Sequence, residues 1–384
     1  MPAVSYRLEG DIAVLTIDNP PVNALSIAVR EGLHAGLERA LADPAVKGVV
    51  LCGAHGTLCA GADINEIGSG VALQRPTIFD LQTRMEASRK PLVAAVEGTT
   101  FGGGFEVALT CHWRVAARSA KVGLPEVKIG LIPGAGGNLR VTRLAGPAAA
   151  LEVITSGNPL PAARALELQL VDAVAEQALP EAIAFARSAA QQQRPLRVVS
   201  EVTTHLAEGT AELFAAFRSK LASKARGQLA PWKIVDAIEA ACTKHKEEAL
   251  RLEREAFVAC RDSPQRAALV HVFFAEREAR RIPGLPQDLQ PLPIRTAAVI
   301  GAGTMGGGIA MNFANAGIPV KVLELSPEAL ERGLGVIRKN YGGSVARGSL
   351  SQARADQALS CIEGVTDYAA LGQADIIIEA VFED

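Results

Sequence analysis

The sequence predicts an α/β protein with a second, smaller α/β unit at its end and an all-helical region between the two. Three observations carry this reading. From the start to about Arg194, short strand-like runs ("IAVLTI", "VKGVVLC", "PLVAAVEG") alternate with helical stretches such as Ser26 to Leu41 and Thr77 to Arg89. From Pro195 to Ile282 the strand signal vanishes, and Ala, Glu, Lys, Arg and Leu dominate. The strand "TAAVI" then runs into the glycine-rich loop "GAGTMG". The regions divide as 1–194, 195–294 and 295–384, and the second ends in "RRIPGLPQDLQPLPIR", whose four prolines read as a stiff linker.

Composition bounds the function. With 384 residues and 49% hydrophobic residues, the chain can bury at least one large core. A net charge of −2 offers no basic surface for nucleic acid. Cys52, Cys59, Cys111, Cys242, Cys260 and Cys361 are scattered without a Cys-x-x-Cys, so they read as reduced thiols in a cytosol-like compartment, with no metal site. No apolar run is long enough to span a bilayer.

Taken in order, "MPAVSYRLEGDIAVLTID" reads as a hairpin. "LCAGADINEI", Leu58 to Ile67, follows a strand; Ala60, Gly61 and Ala62 leave the backbone open to a ligand, or form an ordinary strand-to-helix turn. In "FGGGFEVAL", Gly102, Gly103 and Gly104 stand at a helix start, where the first N–H groups lack intrahelical partners and the helix dipole is positive. One amide from each of these loops would make an oxyanion hole. The glycines are equally consistent with close packing of helix on sheet.

Glu106 sharpens the choice. Phe105, Val107, Ala108 and Leu109 surround it in sequence, so the helix is expected to be buried, and a buried carboxylate needs a partner or a cavity. Glu126 follows in "GLPEVKIGLIPGAGG". Neither has the i,i+4 cation of a routine surface pair. Two carboxyls beside an oxyanion hole can divide general acid and general base work on one substrate.

In the third region, "TAAVIGAGTMGGGIAMNFANAGIPVKVLELS" has the order strand, Gly301-x-Gly303-x-x-Gly306, helix, strand, acid. The helix start, Thr304 and Met305 included, would hold a pyrophosphate, and Glu324 at the second strand's end would accept from adenosine ribose hydroxyls, favouring NAD over NADP.

"LCAGADI", "KPLVAAVEGTTFGGGFEVAL", "RVAARSAKVGLPEVKIGLIPGAGGNLRVTRLAG" and "FFAERE" together resemble the crotonase (enoyl-CoA hydratase) superfamily, in particular the amino-terminal part of the multifunctional enzymes of fatty acid β-oxidation. The resemblance implies a ClpP-like spiral of ββα units, then a helical linker region and a partial Rossmann-type NAD-binding domain. It implies that the N–H groups of Ala62 and Gly103 hold the thioester oxygen of an acyl-CoA. Ala60, Gly61 and Asp63 would lie along the CoA. Glu106 would position and deprotonate water, and Glu126 would exchange the proton on the carbon next to the thioester. The reaction implied is hydration of trans-2-enoyl-CoA, with Δ3,Δ2-isomerisation as a secondary activity. Asn65 stands where a lysine is common in the family, and His112 fits the multifunctional branch without an assigned role.

"DYAALGQADIIIEAVFED" extends the likeness to the NAD-binding domain of 3-hydroxyacyl-CoA dehydrogenases, with Glu383 toward the nicotinamide. That family's catalytic histidine and helical substrate domain would come after Asp384. The chain is therefore read as part of a multifunctional enzyme, with hydride transfer expected only of a longer protein. A cytoplasmic setting, and a thiolase partner or self-association, complete the expectation.

Overall fold

The computed structural model describes residues 2–63, 66, 70–279, 282–286 and 289–382. The chain divides into two compact units, Met1–Arg281 and Ile282–Asp384.

The first unit opens with the expected hairpin, β1 (Val4–Glu9) and β2 (Ile12–Ile17), paired antiparallel from Val4↔Ile17 to Glu9↔Ile12. Four further strands join in parallel: β3 (Gly48–Gly53), β4 (Leu92–Val96), β6 (Trp113–Ala117) and β9 (Ala173–Ala175). The sheet order is β1-β2-β3-β4-β6-β9. Every residue of β4 and β6 is buried, the mark of parallel strands covered on both faces. A second sheet holds three very short strands, β5 (Thr99–Phe101), β7 (Lys121–Gly123) and β8 (Leu160–Pro161), in the order β5-β7-β8.

Ser26 precedes the Ile27–Ala42 helix without a side-chain cap bond. Thr77 closes a capping box with Asp80 at the start of Ile78–Glu86, satisfying amides that the helix cannot. The Gly102–Thr110 helix is buried along its whole length, as a sequence apolar except for Glu106 and Thr110 favours.

The helical region is part of the first unit. Its Ala230–Thr243 helix buries Ile234, Val235, Ile238 and Ala241, and packs on the Gly137–Ala145 and Pro147–Ser156 helices. Lys246–Arg261 packs beside it. A buried ion pair ties the start of this region to the sheet. Asp172 accepts from the fully buried Arg114 at 3.1 Å and from Arg197 at 2.5 Å.

The second unit is a four-stranded parallel sheet: β10 (Ala297–Ile300), β11 (Val320–Leu323), β12 (Ile362–Val365) and β13 (Ile376–Glu379), in the order β12-β11-β10-β13. The first strand lies inside and later strands add on either side, the pattern of a dinucleotide-binding half. Val299, Val322, Ala310, Ile337 and Tyr341 form its core.

Candidate active site

The segment after β3 returns past β5. Cys59 pairs with Thr100, and Leu25 with Ala62, in isolated parallel bridges. Ala60 N–H donates to Val22 O at 3.1 Å and Leu25 N–H to Gly61 O at 2.9 Å. The Ala62 N–H takes part in neither bond. Arg30, buried on the first helix, anchors this segment through Glu66 at 3.1 Å, and Glu66 also accepts from Ile27 N–H.

The three glycines serve three ends. Gly102 has φ +50°, a left-handed conformation that disfavours a side chain, and a methyl group there would sit 3.1 Å from Glu126 Oε1. A methyl on Gly103 would approach Ala62 N at 3.4 Å, so the two backbones lie side by side. One on Gly104 would collide with Cys59 O at 2.4 Å. The glycines therefore differ: Gly104 packs against Cys59, while Gly103 brings an amide of the first helical turn beside Ala62.

Glu106 sits one turn on, 3% exposed. Its Oε1 accepts from Ala135 N–H at 2.8 Å and Gly137 N–H at 2.9 Å. Burial raises its pKa, opposed by those two amides and by Arg140 and Arg254. Glu126 lies in the 3₁₀ turn Pro125–Ile129. Its Oε2 is buried with no hydrogen-bond partner among the described residues. Burial, and then the neighbouring Glu106 charge, push its pKa well above the usual carboxylate range. Two carboxyls in contact with one another's fields thus have unequal environments, and Glu106 gives up its proton first.

A third buried carboxyl stands behind them. Glu253, 2% exposed, accepts from Gly136 N–H at 2.5 Å and Leu139 N–H at 3.2 Å. Burial and the Glu106 charge push it up to about 8. Gln82 and Arg140 donate to Ala135 O, and Arg140 also pairs with Glu86 at 2.7 Å.

In the second unit, Gly301 has φ +97°, and a methyl on it would strike Ala380 O at 2.7 Å. Gly306 presses its helix onto Gly301 O, where a methyl would lie at 1.9 Å. Gly303, the N-cap of the Thr304–Asn315 helix, faces open space, and Met305 is 71% exposed. Glu324, just past β11, accepts from Ala302 N–H at 2.7 Å through Oε1. An open glycine at a helix start, with a carboxylate beside the loop, fits a dinucleotide.

Residues 7–226 match the model of the enoyl-CoA hydratase/isomerase family. The chain belongs to that family. Residues 296–384 match the 3-hydroxyacyl-CoA dehydrogenase NAD-binding domain. The chain is 41% identical over 382 residues to a peroxisomal bifunctional enzyme of Danio rerio, covering 97% of this chain and 52% of that protein. It is 34% identical over 388 residues to the peroxisomal fatty acid beta-oxidation multifunctional protein of Arabidopsis thaliana, covering 97% and 53%. It thus spans about half the length of these relatives. The crystal structure of carnitinyl-CoA hydratase from Mycobacterium avium matches at 29% identity with a TM-score of 0.52, covering 72% of this chain and 97% of that one.

Within this hydratase/isomerase fold, Gly103 lies beside Ala62, Gly102 beside Glu126, and Glu126 within the field of Glu106, with Ala60 and Gly61 on the adjoining segment. Asn65 and Glu383 lie outside the described residues. His112 is a packed histidine: Nδ1 accepts from Leu92 N–H at 2.9 Å, and burial lowers its pKa to about 4, so the ring stays neutral. Sequence reasoning passed over Glu253, Arg30 and Gln82. Arg30 carries no local signal, because apart from Leu25 O its partners lie 36 to 46 residues away.

Proposed function

We propose that the Met1–Arg281 unit catalyses the reversible hydration of trans-2-enoyl-CoA to 3-hydroxyacyl-CoA in fatty acid β-oxidation. The single observation that carries this is the asymmetry of Glu106 and Glu126 beside the Ala62 and Gly103 backbones. Glu106, with Oε1 held by two amides, keeps Oε2 for a water molecule. It takes the water proton as the oxygen attacks C3. The C2=C3 electron pair moves toward the thioester carbonyl, whose oxygen gains charge against the Ala62 and Gly103 N–H groups. That charge is largest in the transition state, so the two amides act mainly on rate. Glu126, protonated beforehand, delivers its proton to C2. The carboxyls have then exchanged roles, and proton exchange resets them. Ala60, Gly61 and Asp63 would run along the CoA.

The orphan Oε2 of Glu126 favours a second activity. A carboxyl oxygen with no protein partner can carry a proton between C2 and C4, which is the Δ3,Δ2-isomerisation.

In the second unit, the amides of Gly303, Thr304 and Met305 would hold the pyrophosphate of NAD, and Glu324 the adenosine ribose. Bound NAD supplies hydride acceptance; this chain's residues orient the dinucleotide. The 3-hydroxyacyl-CoA made by the first unit is the substrate class that a longer protein would oxidise. All six cysteines are free, which suits a reducing compartment. Among the described residues no helix is long and apolar enough to cross a membrane. Two relatives carry names that place them in peroxisomes, so the setting proposed is a reducing compartment rather than the cytosol in particular.

Crotonyl-CoA tests the reading. Loss of the conjugated-thioester absorbance on adding the protein supports hydration, and a 3-enoyl-CoA should show a gain on isomerisation. Tight acyl-CoA binding without turnover would overturn the proposal in favour of a binding module.

A further inference from the structure

The segment 135–139, which leads into the Gly137–Ala145 helix and is called the loop below, carries the two amides that hold Glu106, and it is gripped from both sides. Glu106 takes the N–H groups of Ala135 and Gly137, while Glu253 takes those of Gly136 and Leu139. Glu253 stands on the Lys246–Arg261 helix, in the region after Pro195. The same helix lays the Phe257 ring on Gly134, where a methyl would come within 2.4 Å of it. It also sets Leu250 against Gly136. One helix therefore fixes the whole loop that aims Glu106.

Among the described residues no cation forms an ion pair with Glu253. Arg140, the nearest by its field, donates to Ala135 O and Glu86. Arg254 lies over the Phe79 and Phe257 rings and acts on Glu106. The charges that face Glu253 are thus Glu106 and Glu126 with Arg140, and Glu86 and Arg254 behind them. The neighbouring Ala230–Thr243 helix turns Asp236 and Glu239 to Arg218 instead. A buried carboxyl here is costly as a packing element, since an apolar side chain avoids the desolvation. What it adds is an acceptor for each of two loop amides.

We propose that Glu253 is a positioning residue for Glu106, setting the direction of that carboxyl by holding the 135–139 loop from the far side. This rests on the hydratase reading. The two carboxyls hold different amides of one short segment, so their charges act on each other across it. With Glu253 neutral, the loop dipoles serve Glu106 alone. Once Glu253 ionises, near 8, a second negative charge makes Glu106 and Glu126 hold their protons more tightly.

Glu253→Gln keeps the shape but presents an NH₂ to one of the two amides. It is expected to lower kcat for crotonyl-CoA hydration by roughly 10- to 100-fold, since small misplacements of a catalytic group carry costs of that order. KM should change by less than about twofold, because the loop does not touch CoA in this reading. The alkaline limb of the pH–kcat profile should move to lower pH, a shift that loosened packing alone would not produce. Glu253→Asp keeps the charge but shortens the reach, so it should lower kcat and leave the alkaline limb near that of the wild type. An activity-independent readout accompanies these assays. The Gly136 and Leu139 amide ¹⁵N shifts of the full chain, followed from about pH 6 to about pH 10, should titrate in the wild type and stay flat in Glu253→Gln. A folded Glu253→Gln protein with wild-type kcat and pH profile overturns the proposal. So do amide shifts that fail to titrate in the wild type, even if the chain does not hydrate crotonyl-CoA at all. That last failure by itself would count against the hydratase reading.

Discussion

Glu106 and Glu126 lie within each other's fields, yet Glu106 Oε1 accepts two backbone N–H bonds while the buried Oε2 of Glu126 accepts none among the described residues. That inequality assigns their roles. The amides favour the ionised form of Glu106, which can act as a base. Burial and the Glu106 charge keep the proton on Glu126, which can act as an acid.

The glycines separate activity from stability. Gly103→Ala places a methyl at ordinary contact distance from Ala62 N, so the fold should survive. The methyl enters the space proposed for the thioester oxygen, and kcat should fall by about 10²- to 10³-fold, the scale of losing one oxyanion donor. Gly104→Ala drives a methyl into Cys59 O and should destabilise the first unit by roughly 1–3 kcal/mol. Steady-state kinetics and urea unfolding of both variants check the contrast.

Much of this site was legible in the chain. Glu106 declares itself because a carboxylate interrupts an otherwise apolar run, and the Gly301 loop because strand, glycines, helix and acid follow in order. Glu253 does not. In "RLEREAF" it sits among Arg251, Arg254 and Glu255, and Arg251 does pair with Glu255 at i,i+4, so the stretch reads as a solvated face. Its partners lie 114 and 117 residues away. The sheet β5-β7-β8 was hidden for another reason: strands of two or three residues carry no measurable alternation. Nor does composition say what a helical region packs on. The Ala-rich stretch after Pro195 could have been a spacer, and its burial against the Gly137–Ala145 helix is a tertiary fact.

Asp172 is the joint between sheet and helical region. Asp172→Ala leaves Arg114 buried without its counter-charge and leaves Arg197 with its bonds to His112 O alone. The first unit should lose roughly 3–5 kcal/mol, as expected when one partner of a buried pair is removed. Both tryptophans, Trp113 and Trp232, lie in this unit, so fluorescence during urea unfolding reads it directly.

Glu253 also gives stability a pH dependence. Its folded pKa, about 8, lies above the ordinary 4.5, so the folded chain binds that proton more tightly than the unfolded chain. The stabilisation is fully present below 4.5 and is lost as pH rises toward 8. Between about pH 5 and about pH 8.5 the wild type should lose more stability than Glu253→Gln, by urea midpoint. Parallel curves would contradict this.

Glu324→Ala should weaken NAD binding roughly tenfold or more, the scale of hydrogen bonds to a charged group. It should weaken NADP binding less, because the same carboxylate repels a 2′-phosphate. Calorimetric titration of the chain with each dinucleotide checks the ratio.

The central claim is tested most directly by crotonyl-CoA hydration rates for the wild type, Glu106→Gln, Glu126→Gln and the double variant. If the two carboxyls work as one acid–base unit, each single variant falls by about 10²- to 10⁴-fold. The double variant then falls little further than the worse single. Near-wild-type turnover in either single variant, with the fold intact, would contradict the account.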